Sequence, residues 1–155
     1  MMMNLCSKVL AALDGKTLVT AESCTGGGIG SALTAVSGSS KVYKGGIICY
    51  TDWVKNMVLG VDQCLLEHYG AVSAQVAEQM AQGAARCLQA DVAVSVTGIA
   101  GPDTDAFENP VGTVYIGLCA MQDTQVRKFM FDGDREAIRQ QAIRAALIMI
   151  LEYFA

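Results

Sequence analysis

The run DVAVSVTG, residues 91–98, is apolar or small on both of its alternating faces. A strand of that kind suits a central position, covered above and below by helices on a largely parallel sheet. The flanking segments supply such cover. KTLVTA and VYKGGIICYT read as two earlier strands; VGTVYIGLCA and TQVRKFMF read as two later ones joined at MQDT. Between and around them lie helical segments. NLCSKVLAAL runs to Asp14-Gly15, and a helix of small residues over TGGGIGSALTAVSG takes Thr25 as cap and Gly38 as its end. DWVKNMVLG and DQCLLEHYG are short. SAQVAEQMAQGAARCLQA has Ser73 as N-cap, with Val76, Met80, Ala84 and Leu88 one turn apart. DREAIRQQAIRAALIMILEYF closes the chain as a long helix from Asp134. The order predicts one α/β domain over residues 1–155. Its architecture is a three-layer α/β/α sandwich around a mixed, mostly parallel sheet of about five strands.

Composition removes several functions. No uncharged run approaches the ~18 apolar residues of a membrane-spanning helix, and the first residues are too weakly basic for a signal peptide. The expectation is a cytoplasmic protein without a membrane partner. Net charge is −4 and the eleven Lys and Arg are scattered, which disfavours nucleic acid as a partner. A small anion needs only one or two local cations. The six cysteines form no C-x-x-C and there is one histidine, so no metal site is expected. Cys6, Cys49, Cys64, Cys87 and Cys119 read as small core hydrophobes.

Ligands of open α/β sheets sit beyond the carboxyl ends of the strands. Three such ends here are rich in polar groups: TAESCTGG, CYTDWVK and VTGIAGPD. If their strands are parallel, hydroxyls, a lysine and the N–H groups at a helix start converge, and an anion would be held there. The glycines match neither a phosphate-binding P-loop nor a dinucleotide fingerprint. The lone His68 lies at a helix end, where it is expected to hydrogen-bond the last carbonyls rather than serve a nucleophile. A hydroxyl nucleophile then needs another base, and Lys55 is the candidate if burial or positive neighbours lower its pKa. Cys24 is a competing nucleophile, lacking a histidine partner.

Six segments in order, TAESCTGG, SGSSKVYKGGIICYT, YTDWVK, GAVSAQVAEQMAQGA, SVTGIAGP and NPVGTVYIGL, resemble the CinA C-terminal domain family. That family contains the nicotinamide-nucleotide amidohydrolases. The resemblance implies hydrolysis of the carboxamide of nicotinamide mononucleotide (NMN), giving nicotinate mononucleotide and ammonia, with no cofactor. It also implies a stand-alone domain without the nucleotide-hydrolase domain of longer relatives, hence no ADP-ribose pyrophosphatase activity, and a homodimer. Carried over by motif, Ser40 is the nucleophile, Lys55 the general base and Tyr50 a hydrogen-bonding support. Ser23, Thr25, Gly26, Ser39, Thr97, Gly98, Arg135 and Arg139 are implied as substrate-binding residues, Arg135 ahead of Arg139. Whether Ser40 or Ser23 attacks stays open. The chain departs from the family pattern at Asp52 and Trp53, and at Thr104 and Asp105 where the family has glycines. Asp52 could hold Lys55 protonated, and the altered loop could change the substrate fit.

Overall fold

The computed structural model describes residues 1–155. Its elements are α1 (Met2–Ala12), β1 (Leu18–Glu22), α2 (Gly28–Thr34), a 3-10 turn (Ser39–Lys41), β2 (Tyr43–Ile48), α3 (Asp52–Met57), α4 (Gln63–Tyr69), α5 (Ala74–Cys87), β3 (Val92–Gly98), β4 (Thr113–Ala120), β5 (Asp123–Met130) and α6 (Arg135–Phe154). The sheet order is β2-β1-β3-β4-β5. β1 runs parallel to β2 and β3, while β4 and β5 complete the sheet antiparallel. The expected mixed sheet of five strands is present, and the three loaded strand ends share one edge.

β1 and β3 occupy the middle because almost every side chain on them can be buried. Alternation sends Leu18, Val92, Val94 and Val96 toward α1, α2 and α6, and Val19, Ala21 and Ala93 toward α4 and α5. Each fully buried Val or Leu contributes roughly 1.5–3 kcal/mol. The α5 face is lined by small residues, which lets the helix approach closely: Ser95 Oγ donates to Ala77 O at 2.6 Å. A Cβ on Gly117 would lie 2.6 Å from the same carbonyl.

Several local expectations hold. Ser73 accepts from Val76 N–H and caps α5, and Asp134 accepts from Ala137 N–H and caps α6. Others are corrected. α2 begins at Gly28, not at Thr25, because Gly26 and Gly27 take φ of +59° and +98°, outside the helical region. It ends at Thr34, and Gly38 instead introduces the 3-10 turn. Cys64 and Cys87 are exposed rather than core. His68 is exposed on the last turn of α4, its ring edge-on to Tyr69; the α4 end is closed by Gly70 N–H on Leu66 O. No helix is long and apolar enough to cross a membrane.

Candidate active site

Beyond the last residue of β1 the chain is still held by the sheet. Ser23 N–H donates to Val96 O on β3, and Cys49 N–H, just past β2, donates to Glu22 O. Ser23 is therefore fixed between its two parallel neighbours. The strand period places Glu22 and Ser23 on opposite faces: Glu22 faces α2, and Ser23 faces the side on which α3 leaves β2.

Thr51 caps α3 by accepting from Val54 N–H. One turn on, Lys55 points back under the strand ends and is only 1 % exposed. Its Nζ lies 3.0 Å from Ser23 Oγ, 2.8 Å from Cys49 O and 3.3 Å from Tyr50 O. Burial pulls the Lys55 ammonium below its ordinary range, against opposing pulls from Cys49, Asp52 and Cys24. Asp52 is exposed and does not bond the amine. As an ammonium, Nζ donates to all three neighbours; a neutral amine fits them as well. Two N–H groups can serve the two carbonyls, which only accept, and the remaining lone pair faces the hydroxyl, which can donate.

Glu22, the carboxylate of TAESCTGG, is 1 % exposed. Its Oε1 accepts from Thr25 Oγ1 (2.8 Å) and Ile29 N–H (2.8 Å); its Oε2 accepts from Gly30 N–H (3.0 Å) and Thr20 Oγ1 (3.1 Å). The start of α2, expected to hold a ligand anion, is thus occupied by the protein's own carboxylate. Thr25 supports Glu22 instead of capping the helix. The Cys24 and Thr25 amides make no hydrogen bond to another residue of the chain, and they directly follow the serine.

Ser23 opens into a cleft of about 290 Å³ lined also by Tyr50, Thr97, Gly98, Asp103 and Arg135. A larger, shallow groove of about 530 Å³ on α4 contains none of these groups. Arg135 donates to Gly101 O (2.8 Å) and to Tyr50 Oη (3.2 Å), and no carboxylate pairs with it. It is the unneutralised cation of the cleft. Arg139 lies behind the turn, donating to Cys24 O and Thr25 O and pairing with Glu136, close to Gly26. Thr97 Oγ1 is engaged by Ala71 O.

The Ser40–Lys55 pair is not formed. Ser40 is exposed in the 3-10 turn before β2, whereas Lys55 follows the far end of that strand. The six residues of β2 separate the two ends by about 20 Å at the rise of a strand. Ser39, though buried, shares the Ser40 end. The Tyr50 ring turns to Arg135, and only its backbone carbonyl meets Lys55. Cys24 is buried and its thiol is pushed up to about 11 by that burial, which opposes a thiolate. No cluster of side chains suited to hold a metal ion is present.

The family model for the CinA C-terminal domain matches residues 2–154. The chain belongs to the CinA C-terminal domain family. A CinA-like protein of Acaryochloris marina is 50 % identical over 135 residues, covering 86 % of this chain and 32 % of that protein. The chain thus spans about a third of that CinA relative. A second relative, named nicotinamide-nucleotide amidohydrolase PncC, from Enterobacter agglomerans, is 48 % identical over 148 residues, covering 93 % of this chain and 90 % of that protein. Among solved CinA structures, one from Klebsiella pneumoniae superposes with a TM-score of 0.97 at 33 % identity, covering 99 % of this chain and 98 % of the other. One from Agrobacterium tumefaciens gives 0.93 at 39 %, covering 97 % and 94 %.

Proposed function

We propose that this CinA-family domain hydrolyses the carboxamide of NMN to nicotinate mononucleotide and ammonia, with Ser23 as nucleophile and Lys55 as general base. The observation that carries the reading is the Lys55 Nζ to Ser23 Oγ contact of 3.0 Å around an amine withdrawn from water. The name of the Enterobacter relative supports the substrate class.

Cys49 O and Tyr50 O each take one N–H of the neutral amine, leaving its lone pair aimed at the Ser23 hydroxyl. Ser23 Oγ attacks the carboxamide carbon as its proton passes to Lys55. The Cys24 and Thr25 N–H groups, which donate to no other residue and directly follow Ser23, are assigned to the oxygen that gains charge; one such donor is worth ~2.7–4 kcal/mol in comparable enzymes. Lys55 returns the proton to the leaving nitrogen, ammonia departs, and an acyl ester on Ser23 remains. Water, deprotonated by the same amine, attacks the ester carbon; Lys55 returns that proton to the departing Ser23 Oγ, and the nicotinate product leaves as the free acid, which ionises in water. Arg135 is the cation for the nucleotide phosphate. Thr97, Gly98 and Arg139 shape the site from its walls and from behind, and nothing favours a contact of Ser39 or Ser40 with the substrate.

Ammonia release from NMN by the purified protein is the test. Loss of release in Ser23→Ala and Lys55→Ala with retention in Ser40→Ala is the expected result; the reverse pattern would restore Ser40. A homodimer in the cytoplasm remains part of the proposal. The exposed Trp53, Met57 and Ile48 support a second copy as partner, which sedimentation equilibrium would read.

A further inference from the structure

The segment after β3 departs from a simple glycine loop. Asp105 Oδ1 accepts from the N–H groups of Phe107 and Asn109, both at 3.1 Å, and its Oδ2 accepts from Asn109 Nδ2 at 2.7 Å. Glu108 closes the ring in the left-handed region, at φ +61°. The closed loop is then fastened to a second wall of the cleft. Asn109 Nδ2 also donates to Val72 O at 3.3 Å, and the Phe107 ring fills the space over Gly70, where a Cβ would lie 2.5 Å from it. Ala71, between these two anchors, is held from the strand side by Thr97 Oγ1.

This knot stands beside the cation of the cleft. Arg135 is bonded to Gly101 O, at the root of the loop, and Asp103, Thr104 and Asp105 line the cleft with it. A phosphate on Arg135 would lie beside this loop, with Asp103 and Asp105 on the same wall, and a second nucleotide esterified to it would run along that wall. At about 290 Å³ the cleft falls just below the ~300–1,000 Å³ range of ligand pockets. Resting on the amidase reading above, we infer that Asp105 is a specificity-determining positioning residue. Its carboxylate ties the 105–109 loop shut and seats it on residues 70–72, closing the phosphate end of the cleft to anything larger than a mononucleotide. The excluded class is the pyridine dinucleotides, which carry the same carboxamide on the same ring.

The test uses the whole chain. Calorimetric affinities for NMN and for NAD+ are measured on the wild type, Asp105→Ala and Asp105→Asn, with hydrogen exchange followed over residues 103–109. The wild type is expected to prefer the mononucleotide by about 100-fold or more, and Asp105→Ala to erode that preference by about tenfold or more as loop exchange quickens. Asp105→Asn keeps an acceptor for the two backbone donors and should fall between. An unchanged preference in Asp105→Ala despite faster exchange would overturn the inference. So would a parallel loss of both affinities with a lowered Tm, or equal affinities in the wild type. Binding without ammonia release would remove the amidase reading and leave the specificity inference standing; no binding of either nucleotide would remove both.

Discussion

Glu22 and Ser23, consecutive residues at the end of β1, face opposite sides of the sheet and divide the work of the site. The serine meets the buried amine of Lys55. The carboxylate ties down the turn that follows by accepting from Thr20, Thr25, Ile29 and Gly30. Replacing Glu22 by Gln turns one acceptor oxygen into a donor facing other donors. An unsatisfied buried group costs ~1–3 kcal/mol, so Glu22→Gln is predicted to lower unfolding stability by about that amount. Urea denaturation reads it. A stability equal to wild type would remove Glu22 as the anchor of the turn.

The Ser23–Lys55 pair predicts the form of the pH profile. Lys55 must be neutral to accept the serine proton, so kcat rises as pH rises through its pKa, with a midpoint below the ordinary lysine value of about 10.4. Lys55→Arg puts a permanently protonated guanidinium in its place, which cannot accept the serine proton, and it is expected to be inactive. A profile flat in pH, or an active arginine variant, would exclude Lys55 as base.

The same amine leaves a mark on stability. Its pKa is lowered in the folded state, so between the folded and unfolded values the unfolded chain binds the proton and the folded chain does not. Stability therefore rises with pH across that window, by at most about 1.4 kcal/mol per pH unit, and levels off above the unfolded value of about 10.4. Lys55→Met should lack this slope. Parallel stability curves for the two proteins would contradict a neutral buried Lys55.

Cys24 adjoins Ser23, yet burial raises the pKa of its thiol to about 11. Cys24→Ala is expected to keep amide hydrolysis within about threefold of wild type, since it removes a small buried group and leaves the backbone donor in place. Ammonia release measured on this variant decides between the hydroxyl and the thiol. Loss of activity in a folded Cys24→Ala protein would favour the thiol.

Arg135 has no carboxylate partner and stands at the cleft. Arg135→Gln is predicted to raise KM for NMN by about 10- to 100-fold with a smaller change in kcat, because a charge-assisted phosphate contact is lost before and during reaction alike. Nicotinamide riboside, which has no phosphate, should be affected little. Equal losses for both substrates would move the phosphate elsewhere.

Much of this was legible locally. The apolar faces of DVAVSVTG placed β3 in the middle, Ser73 and Asp134 announced their helices, and three polar strand ends pointed to one edge of the sheet. Lys55 stood out as a candidate from a hydroxyl-rich site without a histidine partner, and it is buried beside Ser23. The motifs left open which serine the amine meets, Ser40 or Ser23. Motif resemblance put Ser40 forward, but side-chain type does not tell at which end of β2 a residue lies. Sequence alone assigns Glu22 no task and shows Asp105 only as a departure from the family's glycines, because their partners include the N–H groups of Ile29, Gly30, Phe107 and Asn109, which have no letter in a sequence.

Sequence alone thus determined the layers, the order of elements and the types of group available, because periodicity and caps are short-range properties. The tertiary structure decided which groups meet. Parallel pairing of β1, β2 and β3 brings Ser23 and Lys55, 32 residues apart, to 3.0 Å. That pairing also removes the amine from water, and this burial is what lowers its pKa.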